Sequence, residues 1–214
     1  MGQKKKRKLM VFLAGELRSS ANVQALIREG DFEIYAADGG YLYAQRLDLN
    51  PTLVFGDFDS SDKPSLDSVL VYPCEKDQTD SEIALDLAKE RGFDDVWFIA
   101  PFGGRLDHTL ANLALLRRAK KMGIALKLYD GENLAFITEQ GIHHLRGNYH
   151  YVSFLPCGAS AVISLSGFKY PLRQFELPHD STIGISNEPL DEPIVTVDSG
   201  SVLCICIENN QEEV

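Results

Sequence analysis

Hydrophobic periodicity switches near residue 131, and one packed core cannot readily serve the pattern on both sides of the switch. Before it, short apolar runs (Leu9–Ala14, Ile34–Ala37, Thr52–Phe55, Val69–Tyr72, Val96–Ala100 and Ile124–Tyr129) alternate with segments of helical spacing. That alternation predicts a parallel sheet covered by helices. Beyond Asp130-Gly131-Glu132, a turn signal, only strand-like runs follow: Leu134–Thr138, Tyr149–Leu155, Ala161–Leu165, Ile194–Val197 and Val202–Ile207, punctuated by Gly, Pro, Asn and Ser. The fold class expected is therefore α/β plus all-β. A Rossmann-like parallel-sheet domain over residues 1–131 precedes a small β-sandwich or barrel over residues 132–214.

Two helices can be read directly. One runs from about Thr79 to Arg91, with Ile83, Ala84, Leu87 and Ala88 on one stripe, Thr79 or Asp80 as N-cap and Gly92 as the stop. The other spans roughly His108 to Lys121. Its inward residues are expected to be Leu110, Leu113, Ala114 and Leu116; its last turn is basic, complementing the helix dipole, and Gly123 ends it.

Charge narrows the partners. Twenty-one Lys plus Arg against 31 Asp plus Glu leave a net charge of −10, which disfavours nucleic acid and anionic membranes. The one basic run, Lys4 to Lys8, reads as a solvated tail, and the six apolar residues after it are too few for a signal peptide. No segment approaches the ~20 apolar residues of a membrane span. Cys74, Cys157, Cys204 and Cys206 lack metal or redox spacing, and the last two share one strand face as core packing would require. A reducing cytoplasm is the expected location.

The chemistry lies in acidic turns placed where strands end. Asp38-Gly39-Gly40 follows an apolar strand at the position where open parallel sheets bind ligands. Gly56-Asp57-Phe58-Asp59-Ser60 follows another, and extended backbone points Asp57 and Asp59 the same way. Two like charges so close are costly without a cation between them, which suits Mg²⁺. Asp77-Gln78-Thr79-Asp80 precedes the first helix, and Gly103-Gly104-Arg105-Leu106-Asp107-His108 combines glycines, a cation and a helix N-terminus, as a phosphate would need. Four such turns converge on one sheet edge. With a single Arg there, a polyphosphate requires divalent metal. No P-loop, dinucleotide fingerprint, HExxH or GxSxG is present, and His143–His144 reads as surface.

These pieces, in order, together with Gly167-Phe168-Lys169-Tyr170-Pro171-Leu172 and Gly184-Ile185-Ser186-Asn187-Glu188, closely resemble the thiamine pyrophosphokinase family nearly end to end. The resemblance implies a homodimer that transfers a pyrophosphoryl group from ATP to thiamine with Mg²⁺, releasing AMP. It assigns nucleotide, metal and catalysis to the first domain, and thiamine binding and dimerisation to the second. By position, Asp57, Asp59 and Asp80 match metal ligands and, with Asp107, the catalytic set. Asp38, Gly39, Gly40, Gln78, Arg105, Asp107 and His108 fall in the nucleotide and phosphate site; Tyr170, Ser186 and Asn187 fall on the thiamine side, where an aromatic face suits a cationic thiazolium. The turn Leu13-Ala14-Gly15-Glu16 is poorer in glycine than in many relatives. Two rival readings are a Mg²⁺-dependent phosphohydrolase using Asp57 and Asp59, and a non-catalytic nucleotide or thiamine sensor.

Overall fold

The computed structural model describes residues 6–57, 69–72 and 77–208. Lys4, Lys5, Asp59, Ser60, Cys74, Glu75 and Lys76 lie outside the described residues. The fold is mixed α/β, and the chain divides into two compact units, Met1–Gly131 and Glu132–Val214.

The first unit holds β1 (Lys8–Phe12), α1 (Ser20–Glu29), β2 (Phe32–Ala37), α2 (Gly40–Arg46), β3 (Leu53–Gly56), β4 (Val69–Val71), α3 (Asp80–Glu90), β5 (Asp95–Ile99), α4 (Leu106–Lys121) and β6 (Ala125–Tyr129). Its strands run in the order β6-β5-β1-β2-β3-β4, and every pairing is parallel. The order reverses between β1 and β5, because successive strands step one way as far as β4 and the other way from β5. Central β1 lies between β2 and β5, and Leu9, Met10, Val11 and Phe12 are all fully buried, so both of its faces are covered as well. A strand covered on both faces needs no alternation, which is why it reads as one continuous apolar run.

Local chemistry sets the helix ends. The Ser19 hydroxyl caps α1 by accepting from the Asn22 N–H, and Thr79 caps α3 by accepting from the Glu82 N–H. Gly92 at φ +73° and Gly123 at φ +75° follow α3 and α4 in the left-handed conformation that terminates helices. On α4 the inward stripe is Asn112, Leu115, Leu116 and Ala119, whereas Leu110 is exposed, as is Ala114. The stripe departs from the apolar periodicity because it contains a polar residue: Asn112 is buried and donates from Nδ2 to the Pro101 carbonyl at 2.7 Å. Helices α3 and α4 are joined by Arg118, which pairs with Glu82 and with Asp86.

The second unit contains β7 (Asn133–His144), β8 (Tyr149–Pro156), β9 (Ser160–Phe168), β10 (Leu172–Pro178) and β11 (Pro189–Glu208), all antiparallel. Strand β11 changes partner partway along: its first half lies between β9 and β7, its second between β8 and β7. The two runs expected at Ile194–Val197 and Val202–Ile207 are thus one strand, interrupted by a register shift between Val197 and Ser201 where Gly200 takes φ +77°. Cys204 and Cys206 are buried in it, and burial raises both thiols, Cys204 to about 12. They pack as apolar side chains. Among the described residues, Cys204 and Cys206 are unbridged thiols, and no helix is long and apolar enough to cross a membrane.

Candidate functional site

Parallel strands deliver their carboxyl ends to a single edge, so the loops after β1, β2, β3 and β5 and the start of α3 share it. Asp38 directly follows β2 and itself adopts φ 44°, the left-handed conformation expected of a neighbouring glycine; Gly39 is right-handed helical instead. The strained aspartate is held by its N–H, which donates to the Phe55 carbonyl at 2.7 Å, and by its carbonyl, which accepts from the Tyr41 N–H at 3.1 Å. A side-chain carbon at Gly56 would stand 3.0 Å from Asp38 Cβ. The ends of β2 and β3 are therefore in contact, and Asp57, the residue after Gly56, shares that corner with Asp38. Gly40 serves packing: it is buried, and any Cβ there would overlap the Phe12 carbonyl.

Asp80 is the first residue of α3, where a negative charge favours the helix dipole, while Thr79 acts as the cap. Gln78 turns toward the helix pair, donating from Nε2 to Asp86 Oδ2 at 2.9 Å. The donor set at this edge is carboxylate oxygen, which matches Mg²⁺, an ion that keeps several waters and takes one or two carboxylates plus substrate phosphates. Among the described residues no group of three or more His, Cys, Asp or Glu is close enough to hold a metal unaided. Asp57 and Asp80 fit the smaller share that Mg²⁺ asks of a protein.

Beyond β5 the chain makes the glycine turn, with Gly103 at φ +93° and Gly104 at φ +63°. Arg105 then meets Asp107 through two bonds, Nε to Oδ1 at 3.1 Å and Nη2 to Oδ2 at 2.5 Å. The guanidinium holds the Asp107 carboxyl well below the usual carboxylate range, at about 2. Asp107 Oδ1 also accepts from the His108 N–H at 2.9 Å, so the carboxylate sits in the first turn of α4. Both partners are exposed, at 73% and 63%, and of the two only the Arg105 guanidinium has donors to offer an anion.

Two further charged residues, which carry no site role in the sequence alone, join this edge. Glu16 lies against the glycine turn, its Cβ 2.7 Å from where a Gly103 side-chain carbon would be. Arg18 pairs with Glu16 at 3.5 Å and with Asp130 at 3.6 Å. Nothing local marks them, since Asp130 arrives from the far end of the unit.

In the second unit Tyr170, Ser186 and Asn187 come together. Asn187 is buried, and its side chain grips the main chain of Tyr170: Oδ1 accepts from the Tyr170 N–H at 3.1 Å and Nδ2 donates to the Tyr170 carbonyl at 2.8 Å. Its own main chain pairs with Val152 at 2.8 and 3.0 Å. Lys169 is tied to Glu188 by its N–H at 2.9 Å and its ammonium at 2.7 Å. The Tyr170 ring is thereby presented 57% exposed, with Lys169 Nζ 5.6 Å from its centroid. Ser186, at φ 56°, donates its N–H to the buried Ser153 hydroxyl at 3.0 Å and is itself exposed.

Comparison with known proteins agrees across the chain. Residues 23–128 match the family model described as thiamin pyrophosphokinase, catalytic domain, and residues 139–203 match that described as thiamin pyrophosphokinase, vitamin B1 binding domain. The thiamine pyrophosphokinase of Bacillus subtilis is 36% identical over 148 residues, 64% of this chain and 69% of that protein. The crystal structure of thiamine pyrophosphokinase from Bacillus subtilis superposes with a TM-score of 0.84 at 28% identity, covering 95% of this chain and 100% of that one. That of the thiamin pyrophosphokinase from Geobacillus thermodenitrificans gives 0.81 at 28% identity, covering 95% and 99%.

Proposed function

Because the chain belongs to the thiamin pyrophosphokinase family, we propose that it transfers a pyrophosphoryl group from ATP to the hydroxyl of thiamine, with Mg²⁺ as cofactor and AMP as the leaving product. The observation that carries this reading is the shared edge. Carboxylates from the ends of β2 and β3 and the start of α3 lie on the same side of a parallel sheet as the glycine turn bearing Arg105.

In this reaction the thiamine hydroxyl oxygen forms a bond to the β-phosphorus, the bond from that phosphorus to the α-phosphate oxygen breaks, and the hydroxyl proton leaves to solvent. Asp57, Asp59 and Asp80 would hold Mg²⁺, which when bound would supply charge neutralisation for the triphosphate. Arg105 binds phosphate through its fork of donors, and Asp107 keeps that fork oriented. Asp38, fixed by the ends of β2 and β3, lines the nucleotide side. The first unit handles the nucleotide and the second thiamine: Tyr170 offers its ring face to the thiazolium, Asn187 sets the ring's position, and Ser186 lies beside them. A loose phosphoryl-type transition state needs positioning and charge more than covalent help.

The finer architecture belongs to the same reading. The reversal of strand order at β1 and β5 is the switch of a Rossmann-like sheet. The change of partner along β11 is a way for a small sandwich or barrel to turn its corner. A homodimer is proposed from the resemblance, and a cytoplasmic location is supported by the unbridged thiols of Cys204 and Cys206. The test measures AMP release from ATP and Mg²⁺ with and without thiamine. AMP in step with thiamine diphosphate supports the reading; inorganic phosphate released without thiamine, or no turnover, overturns it.

A further inference from the structure

The structure assigns a second phosphate-binding cation to this site, Arg18, in the loop between β1 and α1. The inference rests on the reading of the sheet edge as a triphosphate site and adds a residue that the family motifs do not contain. Strands β1 and β5 are neighbours at the point where the strand order reverses, which is where open α/β sheets bind ligands. Past their ends the two loops stay together. The N–H groups of Leu13, Gly15 and Glu16 donate to the carbonyls of Ile99, Ala100 and Phe102 at 2.9, 3.0 and 2.6 Å. Gly15 has no room for a side chain, since a Cβ would run into the Ala100 and Phe102 carbonyls. The loop bearing Arg18 is therefore pressed against the loop that leads into Gly103, Gly104 and Arg105.

Arg18 is placed from behind. Its N–H and that of Ser19 donate to the Asp130 carbonyl at 2.8 and 3.3 Å, and Asn22 Nδ2 donates to the Gly131 carbonyl at 2.7 Å. These bonds lock the loop to the end of β6 without involving the guanidinium. The Asp130 carboxylate, 1% exposed, lies 3.6 Å from Arg18 Nε, whereas the arginine side chain is 47% exposed. One side of the guanidinium is thus steadied by a buried charge, and the side chain as a whole stays about half-exposed. Glu16 reaches Arg18 Nη2 at 3.5 Å, and its Oε2 also lies 3.2 Å from where a Gly103 side-chain carbon would sit. The carboxylate accordingly marks the space between Arg18 and the glycine turn as one that a negative group occupies. An exposed pair of this kind is weak. A triphosphate, with more charge and oxygens matched to the arginine fork, displaces Glu16 and bridges Arg18 to the turn that carries Arg105.

The test is calorimetric binding of α,β-methylene-ATP with Mg²⁺ to the full chain, which needs no turnover. Arg18→Gln is expected to weaken binding by about ten- to a hundredfold, the range for a lost charge-assisted contact, with Arg18→Lys between it and the parent. In steady state the KM for ATP rises and that for thiamine does not. Glu16→Gln leaves the Asp130 brace in place and removes the competing charge, so binding tightens by about threefold. Unchanged affinity in a folded Arg18→Gln, or no tightening in Glu16→Gln, overturns the assignment while leaving the site standing. Failure of the parent protein to bind the analogue overturns both.

Discussion

Replacing Asn187 with Ala should loosen thiamine binding without removing any group that faces the ligand. The side chain makes two hydrogen bonds, at 3.1 and 2.8 Å, both to the main chain of Tyr170. At a net ~0.5–1.5 kcal/mol each, their loss releases the turn by about 1–3 kcal/mol. What the turn presents is one aromatic face, whose contact with a cation contributes about 0.5–2 kcal/mol. If that contact depends on the clamp, the KM for thiamine rises by about 2- to 30-fold in Asn187→Ala, with the KM for ATP unchanged. The decisive assay is the double-mutant cycle with Tyr170→Ala, since residues acting through one another are not additive. In the Tyr170→Ala background, removing Asn187 should cost almost nothing more. Additive losses would mean that Asn187 meets thiamine directly, and the account of it as a residue that positions Tyr170 would be wrong.

Other outcomes follow from the same geometry. Asp57→Asn removes one of the two described carboxylates offered to Mg²⁺, and turnover should fall at least about a hundredfold with partial recovery at high Mg²⁺; wild-type turnover without such dependence refutes the metal assignment. Asp107, depressed to about 2 by the Arg105 hydrogen bonds, keeps its charge above its ordinary value of 3.8 and loses it only as pH falls through the lower one. It should therefore give no inflection in the activity profile between about pH 5 and 9; an NMR titration of the carboxyl with a midpoint near 4 would contradict the pairing. Gly40→Ala drives a carbon into the Phe12 main chain under the site, so the thermal midpoint should drop with a loss of roughly 1–3 kcal/mol. An unchanged midpoint would mean that the strand and helix can separate at no cost.

Much of this fold is visible in the order of residues, for reasons that differ by element. Strands β1, β2, β3, β5 and β6 carry buried apolar runs, and α3 has both a Thr79 cap and a Gly92 stop. Helix α1 was faint because Val23 alone is fully buried along it, and α2 because it spans only seven residues. Strand β10 carries no apolar signature because Arg173, Gln174 and Glu176 leave its run mostly exposed. The site divides along the same line. Acidic turns after strands can be seen one by one, since each depends on neighbours in sequence, but the roles of Arg18 and Asn187 depend on partners at Asp130 and Tyr170 that only folding supplies. Likewise, Asp38 rather than the adjacent glycine adopts the left-handed turn, a choice imposed by its bond to Phe55 on the neighbouring strand.

The account stands most directly on the fate of the β-phosphorus. With ATP labelled at that atom, thiamine and Mg²⁺, the label should appear in thiamine diphosphate, and the nucleotide product should be unlabelled AMP in equal amount. Labelled ADP as the nucleotide product, or label recovered only as inorganic phosphate or pyrophosphate, would contradict it.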